Sequence, residues 1–224
     1  MYDIWQGNQK EYVTVSLIGD QLFKGIIFDS GSDIIVLFNG ENFIYIPVSH
    51  IEYIVADTPD TEFAGPSDSP IIPLDDNKKN LTFESILKEA KGIKQEICII
   101  NKKYLYGTVL EVMDDYLVFD SPVYKKIYIP KKHIKWLIPY TPNERPYGLS
   151  EAEFSWKQAE AEFAANFEQQ LAVLLNKLIV LNMGEKTHHI GKVKSINGKM
   201  LELKTAKEKR TYVNIEHIQT IHCV

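Results

Sequence analysis

Short apolar runs broken by tight turns fill most of this chain. Val13, Val15 and Leu17 alternate with small polar residues, the period of a half-buried strand, and Gly19-Asp20 follows as a turn. Phe23 to Phe28 reads as a second strand and Ile34 to Phe38 as a third. Asn39-Gly40 then marks a hairpin into Phe43-Ile44-Tyr45-Ile46. Pro47 closes that strand because proline cannot donate to a ladder, and Ile51 to Val55 supplies a fifth. The same series returns as Glu96–Ile100, Leu105–Val112, Tyr116–Phe119, Lys126–Ile129 and Ile134–Ile138. It returns again as Leu178–Asn182, Ile190–Ile196, Met200–Lys204, Arg210–Ile215 and Ile218–His222. Five short strands in roughly 45 residues suit a small, strongly bent barrel. Two helices are expected. Thr82 is the N-cap of a short one carrying Ile86, Leu87 and Ala90, stopped at Gly92. A long one spans Glu151 to Asn176, opened by the Ser150–Glu153 capping box. Phe163, Phe167, Leu171 and Leu174 form its apolar stripe, extended by Trp156 and Ala159.

These strands carry one spaced motif three times. The first copy holds Gly25, Asp33, Leu37, Tyr45-Ile46-Pro47 and His50-Ile51. The second holds Gly107, Asp115, Phe119, Tyr128-Ile129-Pro130 and His133-Ile134. The third holds Gly191, Lys199, Leu203, Tyr212-Val213-Asn214 and His217-Ile218. A repeat of this kind decides architecture before any other argument. The expected organisation is repeat 1 over 1–56, an acidic Pro-rich linker over 57–80, and helix plus repeat 2 over 81–138. A second linker then covers 139–149, and helix plus repeat 3 covers 150–224. Pro59, Pro66, Pro70 and Pro73 with five Asp and no periodicity make the first linker read as mobile.

Charge changes the picture. The chain is −5 overall, but residues 11–55 carry one basic and six acidic groups, whereas 174–224 carry nine basic and four acidic. An acidic first repeat can dock on a basic one, in the same chain or a neighbour, or the basic repeats can face a polyanion. No apolar run approaches the ~18 residues that span a bilayer, so no membrane partner is expected. The N-terminus lacks a secretory pattern, which makes the cytoplasm the default compartment. Cys98, inside an apolar run, reads as a buried thiol.

Chemistry-bearing motifs are sparse. Nucleophile elbows, phosphate loops and His-Glu-x-x-His are absent, so neither an enzyme nor a cofactor is expected. His188-His189 would point to opposite faces of a strand, and no metal site is assigned. His50, His133 and His217 read as hydrogen-bonding residues that fix the turn after strand 4. Asp33 and Asp115 read as turn residues capping their own backbone amides. Lys131 and Lys132 beside Tyr128 and Trp136 form a basic face with rings, the arrangement that holds single-stranded RNA.

A helix followed by five bent strands, with Gly in strand 2 and Asp opening strand 3, resembles the Sm-like fold. On that resemblance the chain is mainly β, with three Sm-like five-stranded bent β-barrel repeats, a short helix before repeat 2 and a long one before repeat 3. The Asn mark of RNA-binding Sm proteins is missing after Asp33 and Asp115, and the closing motifs over 46–51 and 129–134 hold no Arg-Gly pair. The Tyr-Ile-Pro-x-x-His-Ile closing motif is similar to that of the spore coat protein B family of bacilli. That resemblance implies a non-enzymatic structural or scaffold protein, assembling with itself or with coat proteins through open barrel edges. It also implies the spore coat as a destination after cytoplasmic synthesis. The alternative is a single-stranded RNA binder using the basic second and third repeats.

Overall fold

The computed structural model describes residues 11–59, 62–74, 81–154, 162–207 and 209–224. It is mainly β and built from antiparallel pairs. Repeat 1 comprises β1 (Tyr12–Leu17), β2 (Gln21–Ser30), β3 (Ile34–Phe38), β4 (Phe43–Pro47) and β5 (Ile51–Ala56). After the helix α1 (Phe83–Glu89), repeat 2 comprises β6 (Lys94–Ile99), β7 (Lys103–Val112), β8 (Tyr116–Ser121), β9 (Lys125–Pro130) and β10 (Ile134–Pro139). Helices α2 (Glu151–Phe154) and α3 (Phe167–Val173) precede β11 (Leu178–Leu181), β12 (Ile190–Asn197), β13 (Met200–Thr205), β14 (Arg210–Asn214) and β15 (Ile221–Cys223).

Strand 2 is bent by the same two devices in each repeat. The motif glycine lets the backbones close up: a Cβ on Gly25 would stand 2.1 Å from the Phe38 carbonyl oxygen, and one on Gly107 1.9 Å from that of Asp120. The crossing is looser at Gly191, where the Lys204 carbonyl oxygen would lie at 2.9 Å. Three residues further on, each strand carries a bulge, at Phe28 between Ile27 and Asp29, at Leu110 between Val109 and Glu111, and at Lys194 between Val193 and Ser195. An inserted residue at a fixed offset adds local twist, so the strand curls rather than lying flat.

The compact units do not follow the expected repeat boundaries. One unit joins Met1–Tyr106 to Ile134–Glu144, and the other joins Gly107–His133 to Arg145–Val224. The reason is strand pairing across repeats. In the first unit the order β6-β10-β4-β3-β2-β1-β5 places the last strand of repeat 2 against β4 of repeat 1. In the second the order β14-β13-β12-β11-β15-β9-β8-β7 places the last strand of repeat 3 against β9 of repeat 2. Each unit has its own core. Val15, Leu17, Leu37 and Ile46 pack with Cys98 and Trp136 in the first. Tyr116, Val118 and Leu171 pack with Leu201 and Ile221 in the second.

Three expectations are corrected. The long helix over Glu151 to Asn176 is not continuous. Residues 162–166 are non-helical, because the Ala165 carbonyl accepts from Asp114 N–H at 3.0 Å and Ala164 is held by Tyr116 and Gln170. Asn166 then caps a new start, accepting from Gln169 N–H. Phe163 lies outside α3, against the Tyr128 ring, while Trp156 and Ala159 fall outside the described residues. Second, the described part of the Pro-rich segment is not a loose linker. Ile72 is fully buried, its carbonyl accepts from the Tyr45 hydroxyl at 3.1 Å, and Phe63 packs edge-on against Tyr12. Third, β15 begins at Ile221 rather than Ile218, because the Gln219 and Thr220 amides donate to the Asn182 side chain instead of a strand. The two capping residues read from the sequence hold: Thr82 accepts from Ser85 N–H and Ser150 pairs reciprocally with Glu153.

Candidate functional site

The repeat motif builds the joints between successive repeats. Asp33 and Asp115 open strand 3 of their own repeats, but their carboxylates do not cap their own turns as expected. Asp33 Oδ1 accepts from the Phe83 N–H at 2.8 Å, and Asp115 Oδ1 accepts from the Phe167 N–H at 2.7 Å. These are the first residues of α1 and α3, the helices that lead into the following repeat. A carboxylate there satisfies an orphan helix amide and faces the positive end of the helix. A backbone bond supports each joint: Ser32 N–H donates to Leu81 and Asp114 N–H to Ala165. In the third copy Lys199 replaces the Asp. Its backbone carbonyl still accepts from Ile215 N–H, as Asp33 does from Val48 and Asp115 from Lys131. The within-repeat bond is therefore present three times and the helix-capping bond twice.

A second feature of the joints is a strand ladder of constant register. Leu137 of β10 pairs with Tyr45 of β4, and Ile221 of β15 pairs with Tyr128 of β9. Leu137 and Ile221 each stand four residues after their motif His, and Tyr45 and Tyr128 are each the Tyr of the closing motif. One rule thus joins strand 5 of a repeat to strand 4 of the repeat before it. Two half-joints remain. Among the described residues, β5 pairs only with β1 and β14 only with β13. Their side chains are correspondingly open. Tyr45 is 0% and Tyr128 7% exposed, but Tyr212 is 55% exposed. Trp136 is 2% and Thr220 0% exposed, but the matching Tyr53 is 53% exposed. Val55, two residues on, is also open to solvent.

The RNA-type candidates are dispersed by the fold. Trp136 is packed edge-on against Phe23 and Tyr104, and Tyr128 lies against Tyr116 and Phe163, so neither presents a ring for a base to stack on. Lys131 and Lys132 line a cleft of about 440 Å³ with Asp114, Glu168, Lys199 and Glu216. Its charges are matched: Glu216 binds Lys132 and also Lys199 at 3.0 Å, and the Lys131 ammonium donates to the Asp114 carbonyl at 3.1 Å. Lys132, and then Lys199, hold the Glu216 carboxyl down to about 2, so it stays ionised at every pH near neutrality.

The remaining candidates have plain places. The motif histidines end 3-10 turns between strands 4 and 5. The His50 carbonyl accepts from Ile18 N–H at 3.0 Å, and the His217 carbonyl accepts from the Asn182 amide at 3.4 Å. His50 and His133 are buried while His217 is exposed. His188 and His189 lie in a 3-10 turn just before β12, with rings edge to face. Pro47 and Pro130 are the last residues of β4 and β9, as expected. Cys98 is fully buried, and burial pushes its thiol up to about 12. What the sequence reading missed is the partner of each motif position: the helix amides facing Asp33 and Asp115, and the strand-5 residue facing each Tyr. The recurrent Tyr was the available signal, but its opposite number carries no distinctive residue type.

Comparison with known proteins adds two findings. The family model described as the YwrJ third domain matches residues 166–221, which run from the N-cap of α3 into β15. The uncharacterized protein YwrJ of Bacillus subtilis (strain 168) is 30% identical over 215 residues, covering 94% of each chain.

Proposed function

This chain belongs to the YwrJ family, and we propose that it is a non-enzymatic structural or scaffold protein that assembles through the open edges of its β repeats. Its repeats are read as Sm-like barrels, and its role as similar to that of spore coat proteins. The observation that carries this reading is the doubled joint: strand 5 pairs with the preceding strand 4 at Leu137–Tyr45 and at Ile221–Tyr128. A surface used twice inside one chain, with further copies left open at β5 and β14 among the described residues, suits a building unit.

The test is size-exclusion chromatography with light scattering, with and without a mixed RNA pool. A dimer or larger oligomer that ignores RNA is expected. A monomer that shifts with RNA, and returns at high salt, would replace this reading with nucleic-acid binding.

A further inference from the structure

We infer that the partner of the open edges is a second copy of this chain, joined head to tail, with β14 of one molecule laid antiparallel on β5 of the next in the register Tyr212–Ile54. The inference rests on the assembly reading above and names its partner, strands and register.

Three observations carry it. First, the internal joints obey one register. The strand-5 residue four positions after the motif His faces the closing-motif Tyr, at Leu137–Tyr45 and at Ile221–Tyr128. By the same count, His50 places Ile54 on β5, and the third closing motif places Tyr212 on β14. Among the described residues, one strand 5 and one strand 4 are thus left unpaired, the two complementary halves of the joint the chain already makes twice.

Second, the open halves expose what the closed ones bury. Tyr212 and Tyr53 are each more than half exposed, whereas their equivalents at the internal joints are at most 7% exposed. A row of unpaired backbone groups flanked by exposed aromatic and β-branched side chains is a template for strand addition. Neither edge is blunted by a proline within its strand.

Third, charge favours unlike ends. The β5 edge belongs to a segment with one basic and six acidic residues, and β14 to one with nine basic and four acidic. Two β5 edges, or two β14 edges, would bring like charges together, whereas head-to-tail pairing brings opposite charges together. Such a contact is heterologous and can propagate or close into a ring.

Crosslinking tests the register. In a Cys223→Ser background, Ile54→Cys and Tyr212→Cys chains are mixed and oxidised, with Cys98 silent because it is buried. A disulfide-linked heterodimer is expected. Ile54→Cys mixed with Arg210→Cys should give none, because a two-residue slip carries the Cα atoms beyond the roughly 7 Å a disulfide allows. Tyr212→Lys and Val55→Lys, both at exposed positions, should each weaken association about ten-fold or more while leaving the circular dichroism unchanged. An oligomer that shows no Ile54–Tyr212 crosslink and tolerates both lysines would overturn this assignment and leave the assembly reading standing. A monomer at all concentrations would remove both.

Discussion

At the residue scale, the three motif glycines answer to space rather than to backbone angles, since none of Gly25, Gly107 and Gly191 has a positive φ. What each lacks is room for a Cβ. The distances to the facing strand rank them, with Gly25 and Gly107 tight and Gly191 looser. A backbone carbonyl cannot swing aside as a flexible side chain can, so a methyl must part the two strands. Gly107→Ala is therefore expected to cost about 3 kcal/mol and Gly191→Ala nearer 1. Urea denaturation of the two variants checks the ranking, and equal effects would refute it. The spacing of these glycines was visible in the sequence, but the carbonyl each one faces was not.

At the scale of elements, the Asp of the motif belongs to the joint between repeats. Asp33 reaches 50 residues ahead to α1, and Asp115 reaches 52 ahead to α3. In the third copy Lys199 stands at this position, and only the backbone bond within the repeat is kept. Removing the Asp115 carboxylate leaves the Phe167 amide without its acceptor at the start of α3. Asp115→Ala is expected to destabilise by about 1–2 kcal/mol, in the range of a lost helix cap, with α3 amides exchanging faster. Lys199→Ala, at the matching position, should leave stability nearly unchanged, because its contacts are exposed, solvent-screened ion pairs. Hydrogen exchange read peptide by peptide over α3 separates the two. The interruption of the expected long helix belongs at this scale as well. An apolar stripe from Phe163 to Leu174 fits a continuous helix locally, yet bonds from Ala164 and Ala165 to residues some 50 positions earlier outweigh it.

At the scale of the whole molecule, repeat 2 is shared between two compact units because its outer strands each complete a neighbour. A chain cut after residue 144 should therefore not leave two intact repeats. It removes β15 from β9 and uncovers Tyr116, Val118 and Tyr128, whose core partners lie in α3 and β11 to β15. That fragment is expected to bind a hydrophobic dye and to lose amide protection in β8 and β9, while β1 to β4 stay protected. Full protection of β9 would show that the repeat folds without its neighbour. In the proposed head-to-tail assembly, a further copy would supply the strand that β5 and β14 lack among the described residues.

The sequence by itself determined the strands, the turns and the threefold repeat, because alternation, Asn-Gly pairs and proline stops act over a few residues. It also determined the buried thiol and the two helix starts at Thr82 and Ser150, which depend on near neighbours. Only the tertiary structure decided what the motif is for. The Asp–helix bonds, the Tyr–strand-5 register and the burial of Tyr128 and Trp136 join residues tens of positions apart. No local period encodes such pairs, since the partner is a backbone amide or an ordinary aliphatic residue. Their selection rests on which edges remain open once each repeat has curled, and that is fixed by packing rather than by pattern.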